Sequence, residues 1–195
     1  VLVRCRREAE VGIVAKPLVS VIMAAYNCER FVADAVRSIQ EQTYPNWELI
    51  CVDDCSTDGT YDVLRTCAAG DGRVKISKNE ENLGAAAARN RAVEMAQGEI
   101  IAIQDADDEA VPDRLLRSVE LLKEAEVVGS DAYVINEAGR VVRKYSCGWD
   151  PRKVDPLTWM LQGRHVFVHP SLAVRRERWP ETGYNERMPS LQDYD

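Results

Sequence analysis

The sequence has no run of 18 apolar residues, so nothing in it spans a membrane. It has no Gly-x-Gly-x-x-Gly after its first apolar run, where Ala24-Ala25-Tyr26-Asn27 carries no glycine at all; this excludes a dinucleotide-binding oxidoreductase. A Gly-x4-Gly-Lys-Ser/Thr loop is also missing, which excludes a phosphate-loop nucleotidase. Positive charge is in deficit, and a net charge of −7 argues against nucleic acid or an anionic membrane as a general partner. The six cysteines (Cys5, Cys28, Cys51, Cys55, Cys67 and Cys147) follow no disulfide framework, and Cys51-x3-Cys55 lacks the second pair or the histidines that a zinc site needs. Reduced structural thiols and a cytoplasmic location are the expectation. Val1 to Lys16 lacks the apolar core of a signal peptide. There is no initiator Met and the chain stops abruptly at Asp195, so a fragment or a processed form is expected.

What is present is an ordinary globular composition. The 195 residues are 46% hydrophobic and 29% charged, enough for one full domain or a domain and a half with a substantial core. Apolar runs at Leu18–Ala25, Trp47–Val52, Val74–Ser77 and Ile100–Ile103 read as strands. Between them, Cys28–Thr43, Thr60–Ala69 and Ala85–Gln97 have helical character, with Asn27 expected as an N-cap and Gly98 as the C′ stop of the third helix. Pro112 stands near the start of a further helix in which Leu115, Leu116, Val119 and Leu122 line one side. This alternation predicts an α/β fold with a mostly parallel central sheet flanked by helices. After about Val127 the character changes: a hairpin is expected around Asn136–Gly139, a helix after Asp150, and a strand over Val166–Val174 interrupted at Pro170.

Parallel sheets of this kind bind ligands at the carboxyl ends of their strands. Three of the strands end in polar clusters: Tyr26-Asn27, Asp53-Asp54, and Asp105-Ala106-Asp107-Asp108. In extended backbone, Asp105 and Asp107 would project to the same side. Two hard oxygen ligands converging there suit Mg²⁺ or Mn²⁺, and such an ion can hold a diphosphate. The alternative is a solvated acidic loop, but that explanation would have to hold at three strand ends at once. An acidic protein can bind a phosphate-rich ligand only through a metal, local Arg or Lys, or backbone N–H groups.

Four stretches, in order, resemble the family 2 glycosyltransferases, whose catalytic domain has the Rossmann-like GT-A fold. They are Val-Ser-Val-Ile-Met-Ala-Ala-Tyr-Asn, Val-Asp-Asp-Cys-Ser-Thr-Asp-Gly-Thr, Asn-Leu-Gly-Ala-Ala-Ala-Ala-Arg-Asn and Gly-Glu-Ile-Ile-Ala-Ile-Gln-Asp-Ala-Asp-Asp. The resemblance runs from about Leu18 to Asp195. It implies an N-terminal extension (1–17), a nucleotide-sugar-binding subdomain (18–130) and a smaller, mixed acceptor-side subdomain (131–195). It further implies that Tyr26 and Asn27 lie at the donor nucleotide, Tyr26 with its ring against the base, where packing in the core is the alternative. Asp54 would accept a hydrogen bond from uracil N3, with Asp53 structural. Gly84 would permit a tight loop near the donor. Arg89 would pair with a carboxylate or phosphate, the alternative being a salt bridge on the helix surface. Asp105 and Asp107 match the metal-binding Asp-x-Asp, Asp107 touching the ion and Asp105 serving it or the sugar hydroxyls. Asp193 matches the catalytic base, although Gln192 stands where the family usually has Glu. Asp58 reads as a turn residue, and His165 and His169 as packed or capping histidines rather than acceptor contacts.

The reaction implied is an inverting transfer of sugar from a nucleotide-diphospho-sugar, favouring a UDP-sugar, to the hydroxyl of a carbohydrate or glycolipid acceptor in polysaccharide synthesis. It would be assisted by Mn²⁺ or Mg²⁺, without nucleic acid and with peripheral attachment at the inner face of a membrane left open. Two other readings compete: a non-catalytic nucleotide-sugar-binding fragment, since the Gln-x-x-Arg-Trp segment of processive members is absent, and a magnesium-binding receiver-like domain.

Overall fold

The computed structural model describes residues 16–136, 138–146 and 168–187. Four parallel strands form the heart of the sheet: β1 (Val19–Ala25), β2 (Trp47–Asp53), β3 (Val74–Lys78) and β4 (Ile100–Ile103). Helices α1 (Val32–Gln40), α2 (Thr60–Ala68) and α3 (Ala85–Met95) are the crossovers, and α4 (Arg114–Leu121) follows β4. Short strands β5 (Val127–Val128) and β8 (Ala173–Arg175) complete the sheet, in the order β3-β2-β1-β4-β8-β5, with β8 antiparallel to both its neighbours. A separate hairpin pairs β6 (Ala132–Ile135) with β7 (Val141–Tyr145).

Strands β1, β2 and β4 are apolar on both faces because both faces are covered. One face packs Val19, Val21, Met23, Leu49, Cys51 and Ala102 against α1, α2 and α4. The other sets Ile22, Ile50, Val52, Ile101 and Ile103 against α3. Helix α3 presents Ala88 and Ala92 to the sheet, and these small side chains let its backbone approach closely. The described cysteines Cys28, Cys51, Cys55 and Cys67 are all free thiols. Among the described residues no helix is long and apolar enough to cross a membrane.

Several local expectations are corrected. Helix α1 begins at Val32 with Phe31 in the cap position, so Asn27 does not cap it. Helix α3 ends at Met95, and Gly98 serves a close approach instead: a Cβ there would lie 2.5 Å from the Leu18 carbonyl and 2.6 Å from Ser20 Oγ. On α4, Leu115 and Val119 are buried while Leu116 is exposed, because a position next to Leu115 rotates off the buried stripe. The expected strand over Val166–Val174 is, in its described part, a 3-10 turn (His169–Ser171) followed by β8, as Pro170 lacks the N–H a ladder requires. The helix expected after Asp150 falls outside the described residues.

A buried polar knot ties the amino ends of these strands. Ser20 Oγ (2.6 Å) and the Gln97 amide (2.7 Å) donate to Glu48 Oε1, Lys75 Nζ (2.7 Å) donates to Oε2, and the Gly98 amide donates to Ser20 Oγ (2.8 Å). Burial pushes the Glu48 carboxyl up, but these donors outweigh it and hold the group below its ordinary value. Ionised Glu48 therefore stabilises the fold above the unfolded-state pKa, and that contribution is lost as pH falls through the lower folded value. The expected result is a drop in urea midpoint between about pH 5 and pH 3 that is shallower in Glu48→Gln. Equal slopes for the two proteins would refute the assignment.

Candidate functional site

The order β3-β2-β1-β4 places a topological switch point between β1 and β4, where crossovers leave to opposite sides and a crevice opens at the carboxyl edge. Ladder hydrogen bonds run past the strands into this edge: the amides of Asp54, Gln104 and Asn79 donate to the carbonyls of Ala25, Ile22 and Asp53 at 2.8, 3.0 and 2.8 Å. The three polar clusters are therefore neighbours. Tyr26 stands between the Asp54 end of β2 and the acidic turn after β4, with its side chain about half exposed (49%). Because β8 runs antiparallel, its leading end brings His169 and Leu172 to the same edge, where the Ile103 amide donates to the Leu172 carbonyl at 2.8 Å.

A clasp holds the loops after β1 and β2 together. Asn27 is in the left-handed region (φ 48°), and its Oδ1 accepts from the Thr57 amide (2.9 Å) and hydroxyl (3.2 Å). Ser56 Oγ accepts from the Asn27 amide at 3.0 Å. Asp58 accepts from the Thr60 amide (3.0 Å) and hydroxyl (2.6 Å) and, through its other oxygen, from the Glu29 amide (3.2 Å). The Asn27 side chain thus fixes the loop that carries Tyr26, and Asp58 is the turn residue its setting suggested.

Asp54 is buried, and its carboxylate organises the next loop. Oδ1 accepts from Asn79 Nδ2 (2.6 Å) and the Leu83 amide (3.0 Å), and Oδ2 from the Gly84 amide (2.7 Å). Gly84 takes φ 89°, a conformation that disfavours any side chain, and leads directly into α3. Neighbouring Asp53 is fully buried, with Lys78 Nζ 3.4 Å from its Oδ2.

From α3, buried Arg89 reaches across the edge and donates through its Nη2 to Asp105 Oδ1 at 2.7 Å. Its guanidinium also lies 5.7 Å from the centre of the Tyr184 ring. Burial pushes the Tyr184 hydroxyl up to about 12, so it stays protonated, and it meets His169 Nε2 at 3.0 Å. Asn90 fastens this segment by accepting from the Tyr184 amide (2.8 Å) and donating to the Tyr184 carbonyl (3.0 Å).

Asp105 to Asp108 form a turn, closed by the Asp108 amide on the Asp105 carbonyl (3.3 Å), rather than the extended run that strand periodicity implied. Asp107 and Asp108 are exposed on it, and Asp105 is half-buried. Among the described residues no group of three His, Cys, Asp or Glu side chains could hold a metal by itself. The donor set nonetheless fits a hard cation: Mg²⁺ and Mn²⁺ bind through one or two carboxylates and complete their shells with water and phosphate oxygens. Asp105 and Asp107 are the two carboxylates of the Asp-x-Asp on this turn, and one Asp105 oxygen is occupied by Arg89. Burial pushes the Cys28 thiol up to about 11, so this cysteine beside the first loop is a packed thiol rather than a nucleophile. Asp193 and His165 lie outside the described residues.

Local motif reading missed Asn79, Gln104 and Tyr184. Only Gln104 carried a signal, as a polar residue extending an apolar strand; the others meet the site through contacts distant in sequence.

Comparison with known proteins adds to this geometry. A family model described as glycosyl transferase family 2 matches residues 20–179. A putative teichuronic acid biosynthesis glycosyltransferase, TuaG, of Bacillus subtilis is 48% identical over 109 residues, 56% of this chain and 43% of that protein. The Escherichia coli protein WfgD, a UDP-Glc:alpha-D-GlcNAc-diphosphoundecaprenol beta-1,3-glucosyltransferase, is 39% identical over 105 residues, 54% of this chain and 41% of WfgD. The chain thus covers less than half the length of these two relatives. Staphylococcus aureus TarS superposes with a TM-score of 0.71 at 24% identity, over 90% of this chain and 52% of that structure. The mannosyltransferase PcManGT of Pyrobaculum calidifontis, solved with GDP-Man and Mn²⁺, gives 0.64 at 25% identity, over 89% of this chain and 49% of that one.

Proposed function

This chain belongs to glycosyl transferase family 2 and has the GT-A fold, and on that premise we propose that it transfers a sugar from a nucleotide-diphospho-sugar, a UDP-sugar in particular, to a hydroxyl acceptor during synthesis of a cell-surface polysaccharide or glycoconjugate. The observation that carries the reading is the meeting of Tyr26, Asp54 and the Asp105–Asp108 turn at one switch-point edge. The named activity of WfgD, a UDP-glucose transfer to a lipid-linked sugar, supports both the donor class and a carbohydrate or glycolipid acceptor. A lipid-linked acceptor would bring the protein to the inner face of the membrane as a peripheral partner.

Each residue then has a task. The exposed Tyr26 ring offers a stacking face for the base. Asp54 uses three of about four acceptor positions on the loop after β3, leaving one for a pyrimidine N3–H. Asn27 and Gly84 hold the two loops that frame the nucleotide. Asp107, with Asp105 beside it, would hold Mn²⁺ or Mg²⁺, which when bound neutralises charge on the departing diphosphate. Arg89 keeps Asp105 oriented. Asp193 removes the proton of the acceptor hydroxyl as that oxygen bonds to the anomeric carbon and the bond to the diphosphate breaks, with inversion.

Nucleotide release from UDP-sugars in the presence of Mn²⁺ tests this reading. Asp193→Asn is expected to lower kcat by roughly 10²–10⁴-fold while leaving UDP affinity unchanged. Unchanged turnover in that variant would remove Asp193 from the mechanism, and UDP binding without any release by the parent chain would leave a binding module.

A further inference from the structure

Beneath the acidic turn lies a polar pair that the proposed chemistry does not use. Gln104 is buried to 1% exposure, and its Nε2 donates to two carbonyls of the turn, Asp105 (3.1 Å) and Asp108 (2.8 Å). Its Oε1 accepts from Arg114 Nη1 at 2.6 Å, and the second guanidinium nitrogen of Arg114 donates to the Ile103 carbonyl. A guanidinium can only donate, so Arg114 forces the amide oxygen toward itself and the NH₂ group toward the turn. One buried amide, oriented by one cation, thus spans the turn from its first residue to its last.

Arg114 stands where a cation is costly. It occupies the first position of α4, against the helix dipole, and its Nε is buried without a hydrogen-bond partner. Burial pulls the guanidinium down to about 10, against the favourable fields of Asp105 and Asp108. Two apolar side chains would fill this space without those costs. The retained arrangement anchors two carbonyls of the turn and sets a positive charge behind its carboxylates.

We propose that Gln104 and Arg114 are positioning residues that fix the Asp105–Asp108 turn so that its carboxylates meet a metal-bound diphosphate without first having to be ordered. This rests on the donor-site reading above. A binding group held in its productive geometry by locked supporting side chains loses less entropy on binding.

The experiment is calorimetry of UDP binding with and without Mn²⁺. Gln104→Glu keeps a partner for Arg114 but replaces the donor to both turn carbonyls with an acceptor. Gln104→Leu combined with Arg114→Met removes both polar groups together, leaving neither orphaned, and covers the case in which the charged variant fails to fold. In both, the gain in UDP affinity on adding Mn²⁺ is expected to shrink at least about tenfold, a 1.4 kcal/mol change, while metal-free UDP affinity stays within about twofold. A merely structural role would move both affinities or neither. A full Mn²⁺ gain in the folded variants overturns this inference alone. No Mn²⁺ gain in the parent chain overturns the donor-site reading, and this inference with it.

Discussion

Asp107→Ala is expected to abolish the Mn²⁺-dependent part of UDP binding and to lower sugar transfer by roughly 10²–10³-fold, the loss of about 3–4 kcal/mol of stabilisation of the leaving diphosphate. Asp107 is exposed on the acidic turn, whose carbonyls are held by Gln104, so removing its carboxylate leaves the turn's scaffold in place. Thermal stability should therefore change little, because the carboxylate is exposed and surface substitutions usually stay within about 0.5 kcal/mol. The combination is diagnostic: activity and metal response fall while the melting curve stays put. A variant that retains the Mn²⁺ response would move the metal to another carboxylate.

Arg89→Leu is expected to do the opposite first, lowering stability before any chemistry is measured. Its side chain is 8% exposed, it pairs at 2.7 Å with an Asp105 that is 24% exposed, and it faces the Tyr184 ring. Removing one member of a buried pair leaves the other's charge uncompensated, at about 3–5 kcal/mol for full burial. Partial exposure of Asp105 reduces this to about 2–4 kcal/mol, which for a chain of this size lowers Tm by roughly 5–15 °C. Restoring balance with Arg89→Leu combined with Asp105→Leu should recover most of that loss, since an apolar pair of similar volume packs without stranded charge. Differential scanning calorimetry of the single and double variants measures it. A double variant no more stable than Arg89→Leu would mean that Arg89 acts through Tyr184 rather than through Asp105.

These two residues mark where the sequence could be read and where it could not. Strands β1, β2 and β4 were legible because burial on both faces leaves apolar runs broken only by Ser20 and Glu48, and the polar clusters ending them follow from parallel topology. The hairpin was legible from Asn136 and Gly139 between two strand-like segments. Asp58 was recognisable as a turn residue because Thr60, which donates to it twice, lies only two residues on. Asn27 misled, since the side chain suited to capping α1 instead accepts from Thr57, about thirty residues away. Gly98 misled in the same way: it looks like a helix stop, yet its lack of a Cβ answers to the Leu18 carbonyl and Ser20.

The acidic turn shows the limit most clearly. Period-two reasoning aims Asp105 and Asp107 at one point, but extended backbone ends at Ile103 and the turn begins within two residues. What shapes it is Gln104, and what orients Gln104 is Arg114, ten residues on in a different element. Tyr184 is farther still, reaching α3 through Asn90 across 94 positions. Such pairings leave no periodic trace, because a hydrogen bond between elements constrains only its two ends.

Tyr26, Asp54 and Asp107 are expected to serve one ligand. A crystal structure of the chain with UDP and Mn²⁺, the ion located by its anomalous signal, tests this directly. The expected result is the uracil ring against Tyr26 with its N3 toward Asp54, and the ion at Asp107 beside the diphosphate. Nucleotide bound away from the β1–β4 edge, or an ion that touches neither Asp107 nor Asp105, would contradict it.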